Sequence, residues 1–138
     1  VAGVVLAALF IAGALAVGRI EALAAPVQEL LLNASGSAIG LTLVVTLVNG
    51  VAEELFFRNT VPRHLPGLNY PLRIAVAVGL YVAVTAAMLV PLLAVAAVAV
   101  GLVAHLEVRA TGALISAIVM HATWAMGMLL VLPVVLAA

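Results

Sequence analysis

Polar residues cut this chain into apolar runs, and each run can be measured against the roughly 20 residues a helix needs to cross a bilayer. Residues 1–18 carry no charged side chain and read as a first span. Ala22-Leu23-Ala24 resembles a small-residue cleavage site, but the basic segment that opens a signal peptide is missing, which favours a true span. Arg19 to Ser37 reads as a linker containing Glu21, Pro26, Glu29, Asn33 and Ser35-Gly36-Ser37, and its stretch 22–32 suits a short interfacial helix. A second span runs from Ala38 to Arg58 and ends in charge. Residues 59–72 hold Asn59, Pro62, Pro66, Gly67, Asn69 and Pro71, which is loop chemistry. Ile74 to Ala104 is uncharged and too long for one span. Pro91 disfavours helix at the residue before it, so the run predicts a hairpin of helices over 73–89 and 92–106. Glu107, Arg109, Thr111 and Gly112 mark a short turn at 107–112, and a last span over 113–132 stops at Pro133. The pattern is that of an all-α, polytopic transmembrane helical bundle of about five spans with a Pro91 hairpin. Residues 1–37 form its N-terminal span and linker, and 38–132 its core.

Composition removes the soluble alternative. Of 138 residues, 68% are hydrophobic and 7% charged, whereas a soluble domain is roughly half apolar and about one quarter charged. Ten charges cannot cover the surface of a soluble domain this long, but in lipid an apolar surface is the stable one. The charges balance, so no basic patch points to nucleic acid. There is no Cys, which excludes disulfides, thiol catalysis and cysteine-ligated metal. Every cation is Arg and every anion Glu amid abundant Ala and Val, a usage that points to a GC-rich bacterial genome and hence a bacterial plasma membrane. The chain opens on Val rather than Met, so further helices are expected upstream in a parent protein. With the 58–72 loop cytoplasmic, Arg58, Arg63, Arg73 and Arg109 lie inside and Arg19 outside, the usual arginine bias.

Ionisable groups within spans are costly and mark function or internal pairing. Glu53-Glu54-Leu55-Phe56-Phe57-Arg58 stands out first. Glu54 and Arg58 are four apart on one helix face and can pair, while Glu53 is turned roughly 100° away and left free to take a proton. An interfacial ion pair at the end of a span is the competing reading. His121 lies mid-span and needs an inward-facing polar partner whatever its role. Tyr81 and Thr85 share a face, although a Thr hydroxyl can simply bond its own helix. His64 and His105 read as loop and span-end residues without chemistry.

Glu53-Glu54-x-x-x-Arg58, then Tyr81-x-x-x-Thr85, then Glu107-Val-Arg-Ala-Thr-Gly-Ala-Leu leading to His121, together resemble the CPBP intramembrane protease family over residues 38–130. That family contains the CAAX-processing Rce1-type proteases and bacterial proteins tied to bacteriocin self-immunity. The resemblance implies a helical membrane bundle enclosing a polar cavity. It also implies a CAAX-type endopeptidase that hydrolyses peptide bonds of membrane-associated substrates, prenylated ones included. Carried over, Glu53 is the general base, Glu54 with Arg58 its support, and His121 the oxyanion donor. The resemblance leaves metal use open, and the residues present do not call for a divalent ion. Two positions depart from the family: Thr85 stands where it has His, and Ala125, four residues after His121, where it has Asn. Thr is no base near neutral pH, and losing one oxyanion donor typically costs about 10²–10³ in kcat. The alternative is therefore a catalytically dead relative that binds a membrane partner or confers immunity. The expected partners are the lipid bilayer and a membrane-associated peptide or protein, with no nucleic acid.

Overall fold

The computed structural model describes residues 1–18, 20–34 and 39–137. Arg19, Ser35-Gly36-Ser37 and Ala38, which figure in the expected linker and second span, lie outside the described residues. The described chain is helical with short connections: α1 (Ala2–Val17), α2 (Glu21–Ala34), α3 (Ile39–Glu54), a π-helical segment (Leu55–Thr60), α4 (Val61–Arg63), α5 (Tyr70–Ala86), α6 (Pro91–Thr111), α7 (Leu114–Leu130) and α8 (Leu132–Ala137). Among the described residues, three helical stretches are long and apolar enough to cross a bilayer, namely Ile39–Arg63, Pro91–Thr111 and Leu114–Val135, and two shorter apolar helices, Ala2–Ala16 and Tyr70–Ala86, accompany them. The chain is an integral membrane helical bundle, as the apolar runs predict.

Several boundaries differ from the sequence reading, each for a local reason. Helix continues past Arg58 to Arg63, with Pro62 following directly on the π-helical segment. Asn69 and Pro71, read as loop residues, start α5: the Asn69 side chain caps the helix by accepting from the Leu72 N–H at 3.0 Å. The hairpin turn takes up Ala87–Val90, with Leu89 at φ 59 and Val90 extended ahead of Pro91, which opens α6 instead of bending it. The expected turn at 107–112 is helix up to Thr111. Only Gly112, at φ 70, ends α6, and Thr111 Oγ1 then meets Ser116 Oγ at 2.7 Å to tie the corner. Pro133 does not terminate the chain's last helix; it lies in the first turn of α8.

The bundle is apolar outside and closely packed by small residues inside. Leu41, Val44, Val48, Leu102, Leu106 and Val119 are exposed, while Ala77, Val100, Ala104 and Ala117 have no exposure at all. Lipid-facing Leu and Val gain nothing by turning inward, so close packing rather than hydrophobic exclusion holds the helices together. Glycine makes several of these contacts. Gly101 of α6 lies against Val78 and Tyr81 of α5, and a Cβ there would come within 3.3 Å of Val78 and 3.5 Å of Tyr81. Gly127 of α7 faces α1, where a Cβ would stand 2.9 Å from the Cβ of Ala7. Gly127→Leu should therefore force α1 from α7 and cost about 1–3 kcal/mol in detergent unfolding. Gly79→Leu, at a position with nothing within 4 Å, should leave the unfolding midpoint unchanged.

Candidate active site

The polar interior is assembled by four elements. α3 brings Glu53 and Glu54, the π-helical segment Arg58, α5 Tyr81, and α7 His121. A π turn holds more residues than an α turn, so each residue rotates less about the axis and neighbours can share a face. Phe57 and Arg58 are accordingly both buried, with Phe56 left exposed. The Thr60 hydroxyl donates to the Leu55 carbonyl at 3.1 Å and secures the widened turn.

Glu54 is the centre of the cluster and is 0% exposed. Its Oε1 accepts from His121 Nδ1–H at 2.7 Å, across 67 residues of sequence. Its Oε2 lies 3.1 Å from Arg58 Nε, an ion pair not aligned as a hydrogen bond. The Arg58 guanidinium stacks 4.6 Å over the Tyr81 ring, whose other neighbours are Phe57 at 5.0 Å and His121 at 6.5 Å. The spacing-based pair Glu54–Arg58 thus forms inside the bundle, with His121 as the third member.

Glu53 has a different setting. Its side chain is 26% exposed, and its Oε1 accepts from Asn49 Nδ2 at 2.7 Å, one turn earlier on α3. Its Oε2 faces His121 Nε2 across 3.9 Å, and Tyr81 lies within electrostatic reach of the same carboxylate. A gap of 3.9 Å is too long for a direct hydrogen bond but is readily bridged by one water. Because Nδ1–H is committed to Glu54, the neutral imidazole offers Nε2 as an acceptor. The ring donates from Nε2, as the oxyanion role implied by the resemblance requires, only when it is an imidazolium.

The remaining sequence candidates divide. Thr85 Oγ1 donates to the Tyr81 carbonyl at 2.9 Å, so its hydroxyl is spent within its own helix. Ala125 lines a half-open apolar cavity of about 620 Å³ bordered by α1, α2, α3, α6, α7 and α8. Trp124 lines it too, packs at 5.8 Å against His121, and has a buried Nε1 with no partner among the described residues. His64 Nδ1 meets the Thr60 carbonyl at 2.9 Å and is exposed, as a loop residue should be.

His105 overturns its reading as a span-end residue. α6 runs beyond it, and the side chain is buried in the bundle within electrostatic reach of Arg58 and Glu54. The only sequence signal was its register: it lies four residues after Gly101, on the face α6 turns to α5. Among the described residues, no group of three His, Cys, Asp or Glu side chains is arranged to hold a metal ion.

Compared with known proteins, residues 35–127 match the family model described as type II CAAX prenyl endopeptidase Rce1-like. No curated protein and no solved structure matches the chain.

Removing one member of a buried ion pair leaves the other charged in apolar surroundings. Arg58→Met should therefore lower stability by about 3–5 kcal/mol in detergent unfolding. Adding Glu54→Gln to that variant should restore part of the loss, because no uncompensated charge then remains.

Proposed function

The chain belongs to the Rce1-like family of type II CAAX prenyl endopeptidases, and we propose that it is itself an intramembrane endopeptidase in which Glu53 activates a water for attack on a peptide carbonyl. What carries this reading is the 3.9 Å approach of Glu53 Oε2 to His121 Nε2, with Glu53 partly accessible and Glu54 sealed behind the imidazole. A water between them gives one hydrogen bond to each acceptor and keeps a lone pair for the substrate carbon. As the oxygen attacks, its proton passes to Glu53. Glu53 then returns that proton to the amide nitrogen as the C–N bond breaks, leaving a carboxylic acid and an amine. Glu54 fixes the tautomer and orientation of His121, and Arg58 holds Glu54 in place, the division of labour found wherever a buried carboxylate backs a catalytic His. Tyr81 stacks beneath Arg58 and borders Glu53.

The apolar cavity supplies a substrate class. It lies one turn along α7 from His121, and its volume is within the 300–1,000 Å³ usual for small-molecule sites. An apolar chain, such as a prenyl group or a lipid-embedded peptide segment, would rest there with its peptide bond near Glu53. This is the basis for assigning membrane-associated, prenylated substrates. The 58–72 segment is assigned to the cytoplasmic side of a bacterial plasma membrane on the arginine bias.

A second reading is favoured by Thr85 and Ala125. Thr85 bonds its own helix and Ala125 is part of an apolar wall, so neither supplies the chemistry of the family's His and Asn. The same cavity in a chain without turnover would bind a membrane partner or shield a peptide.

Cleavage of transmembrane and prenylated peptide libraries, read by mass spectrometry, separates the two. Glu53→Gln should reduce product by about 10²–10⁴-fold, the usual contribution of a general base. Products that persist in Glu53→Gln, or none from the folded parent chain with either library, would favour the partner-binding reading. Sidedness has its own test, since the chain has no Cys. Gly67→Cys should react with an impermeant maleimide only from the cytoplasmic face, and Met88→Cys only from the opposite face.

A further inference from the structure

Upstream of Glu54, α3 carries four polar side chains, Thr42, Thr46, Asn49 and Glu53, in an otherwise apolar run. Their spacing of four, three and four residues places them within about 60° of one another on the helix surface. The stripe runs from the wall of the apolar cavity, which Thr42 and Thr46 line, to Glu53. On one side of it Leu41 and Val45 are exposed, and on the other Glu54 is buried. Gly50, next to Asn49, brings the α3 backbone up to the imidazole: a Cβ there would stand 3.9 Å from His121 Cδ2 and Nε2.

Asn49 is the member of this stripe that apolar surroundings tolerate least. It is exposed near the middle of the Ile39–Arg63 stretch, where an amide without partners is costly. A carboxylate can only accept, so the Asn49 nitrogen is the atom that meets Glu53 Oε1 at 2.7 Å. That contact uses one N–H. The second N–H and the carbonyl make no hydrogen bond among the described residues. Thr46 Oγ1 keeps acceptor capacity even when its proton is given to its own helix. Between cavity and Glu53, α3 thus presents one donor and two acceptors. A peptide cut within the bilayer needs such partners, because its helix must open at the reacting bond and the freed N–H and C=O groups find no water in lipid. The spacing agrees. At 1.5 Å of rise per residue, Asn49 and Thr46 stand about 6 Å and about 10 Å along the axis from Glu53. Extended peptide advances about 3.3 Å per residue, so these are the reach of about two and three residues.

We propose that this face of α3 binds the main chain of the substrate, with Asn49 and Thr46 hydrogen-bonding peptide groups about two and three residues from the scissile bond. The proposal rests on the endopeptidase reading given above. The segment that joins the reacting bond at Glu53 to the apolar part in the cavity lies extended along α3. Recognition through the main chain is indifferent to side chains, so the substrate class is an apolar segment that unwinds readily and not one particular sequence. Asn49 has two tasks, since one N–H orients Glu53 and the rest of the amide meets the substrate. Thr46 has only the second. A neighbouring transmembrane helix could use the same amide as interhelical glue, and the experiment separates that occupant from a peptide.

Binding is measured in the Glu53→Gln background of the full chain in lipid nanodiscs, which removes the base but keeps an acceptor for Asn49, so the result does not depend on turnover. The probe is a dye-labelled transmembrane peptide of Leu and Ala with a central Gly-Gly, carrying single amide-to-ester replacements stepped along its middle. An ester deletes the N–H and weakens the C=O as an acceptor. At the positions that meet Asn49 and Thr46 it should weaken binding about three- to tenfold, the worth of one hydrogen bond, although it makes the probe easier to unwind. Asn49→Leu and Thr46→Val should each weaken binding of the all-amide probe by a similar factor, and the ester at the matching position should then have no further effect. Absence of probe binding, absence of an ester effect at every position, or ester effects undiminished in both folded variants overturns the proposal. So does a change from dimer to monomer in Asn49→Leu, read by sedimentation, with probe binding unaltered, since the face then belongs to a second helix. With Glu53 intact, Thr46→Val should raise KM and leave kcat, whereas Asn49→Leu should raise KM and lower kcat. A probe that binds with these ester effects but is never cleaved by the parent chain defeats the endopeptidase reading and leaves the main-chain site standing.

Discussion

A carboxylate with no exposure to solvent, in a bundle whose walls are Ala, Val and Gly, persists only if its charge is met on every side. Glu54 satisfies that condition through Arg58 at 3.1 Å and His121 at 2.7 Å. The requirement fixes three separate pieces of chain at once. α3 must end with Glu54 facing inward, the following turn must widen so that Arg58 is buried beside it, and α7 must stand at the height that brings Nδ1 to Oε1. Tyr81 adds α5 by lying under the guanidinium. In lipid, where apolar side chains are nearly indifferent to which helix they touch, such contacts set register more firmly than packing does. Burial of the pair need not add net stability; its contribution is to make other registers expensive.

In the proposed reading, the two neighbouring carboxylates divide support from reaction by the rotation of a single residue about α3. A rotation of one residue leaves Glu54 sealed behind the imidazole and Glu53 partly open in front of it. Asn49 then holds one oxygen of Glu53 and leaves the other toward His121. The apolar cavity continues this polarity along α7, with Trp124 and Ala125 on its wall one turn beyond His121. In the proposed reading, a substrate would be gripped by its apolar part and cut at the boundary between the two zones.

Much of this was legible in the sequence, and the failures have a common cause. The charge deficit gave the membrane class, and the spacing of Glu54 and Arg58 gave their pair. The isolation of His121 in an apolar run implied the buried partner that Glu54 proves to be. Helix ends were less legible: Pro62, Pro71 and Pro133 were read as breaks, yet helix continues through Pro62, and Pro71 and Pro133 lie in a first turn, where Pro is tolerated. The π-helical turn has no sequence signature at all. His105 was missed because hydropathy locates a residue along a span but not around it. Its inward face becomes visible only when Gly101 is seen against Tyr81. Within a lipid-facing helix, Leu and Val on the outside and Ala on the inside are both apolar, so the periodicity that would mark the buried face is faint.

Thr85 and Ala125 bear differently on catalysis once their surroundings are known. Thr85 donates to the Tyr81 carbonyl one turn earlier, and in the proposed reading the loss of a His at this position removes a second base but not the first. Ala125 lies on an apolar wall, where an amide would bring polar atoms into a cavity otherwise suited to hydrocarbon. In the proposed reading, the substitutions would trade transition-state stabilisation for a more uniformly apolar binding surface. A missing oxyanion donor slows turnover by about 10²–10³ without weakening ground-state binding. A slow protease and a partner-binding relative are thus neighbouring points on one scale, distinguished by how long an apolar ligand stays against Glu53 compared with how fast the water there reacts.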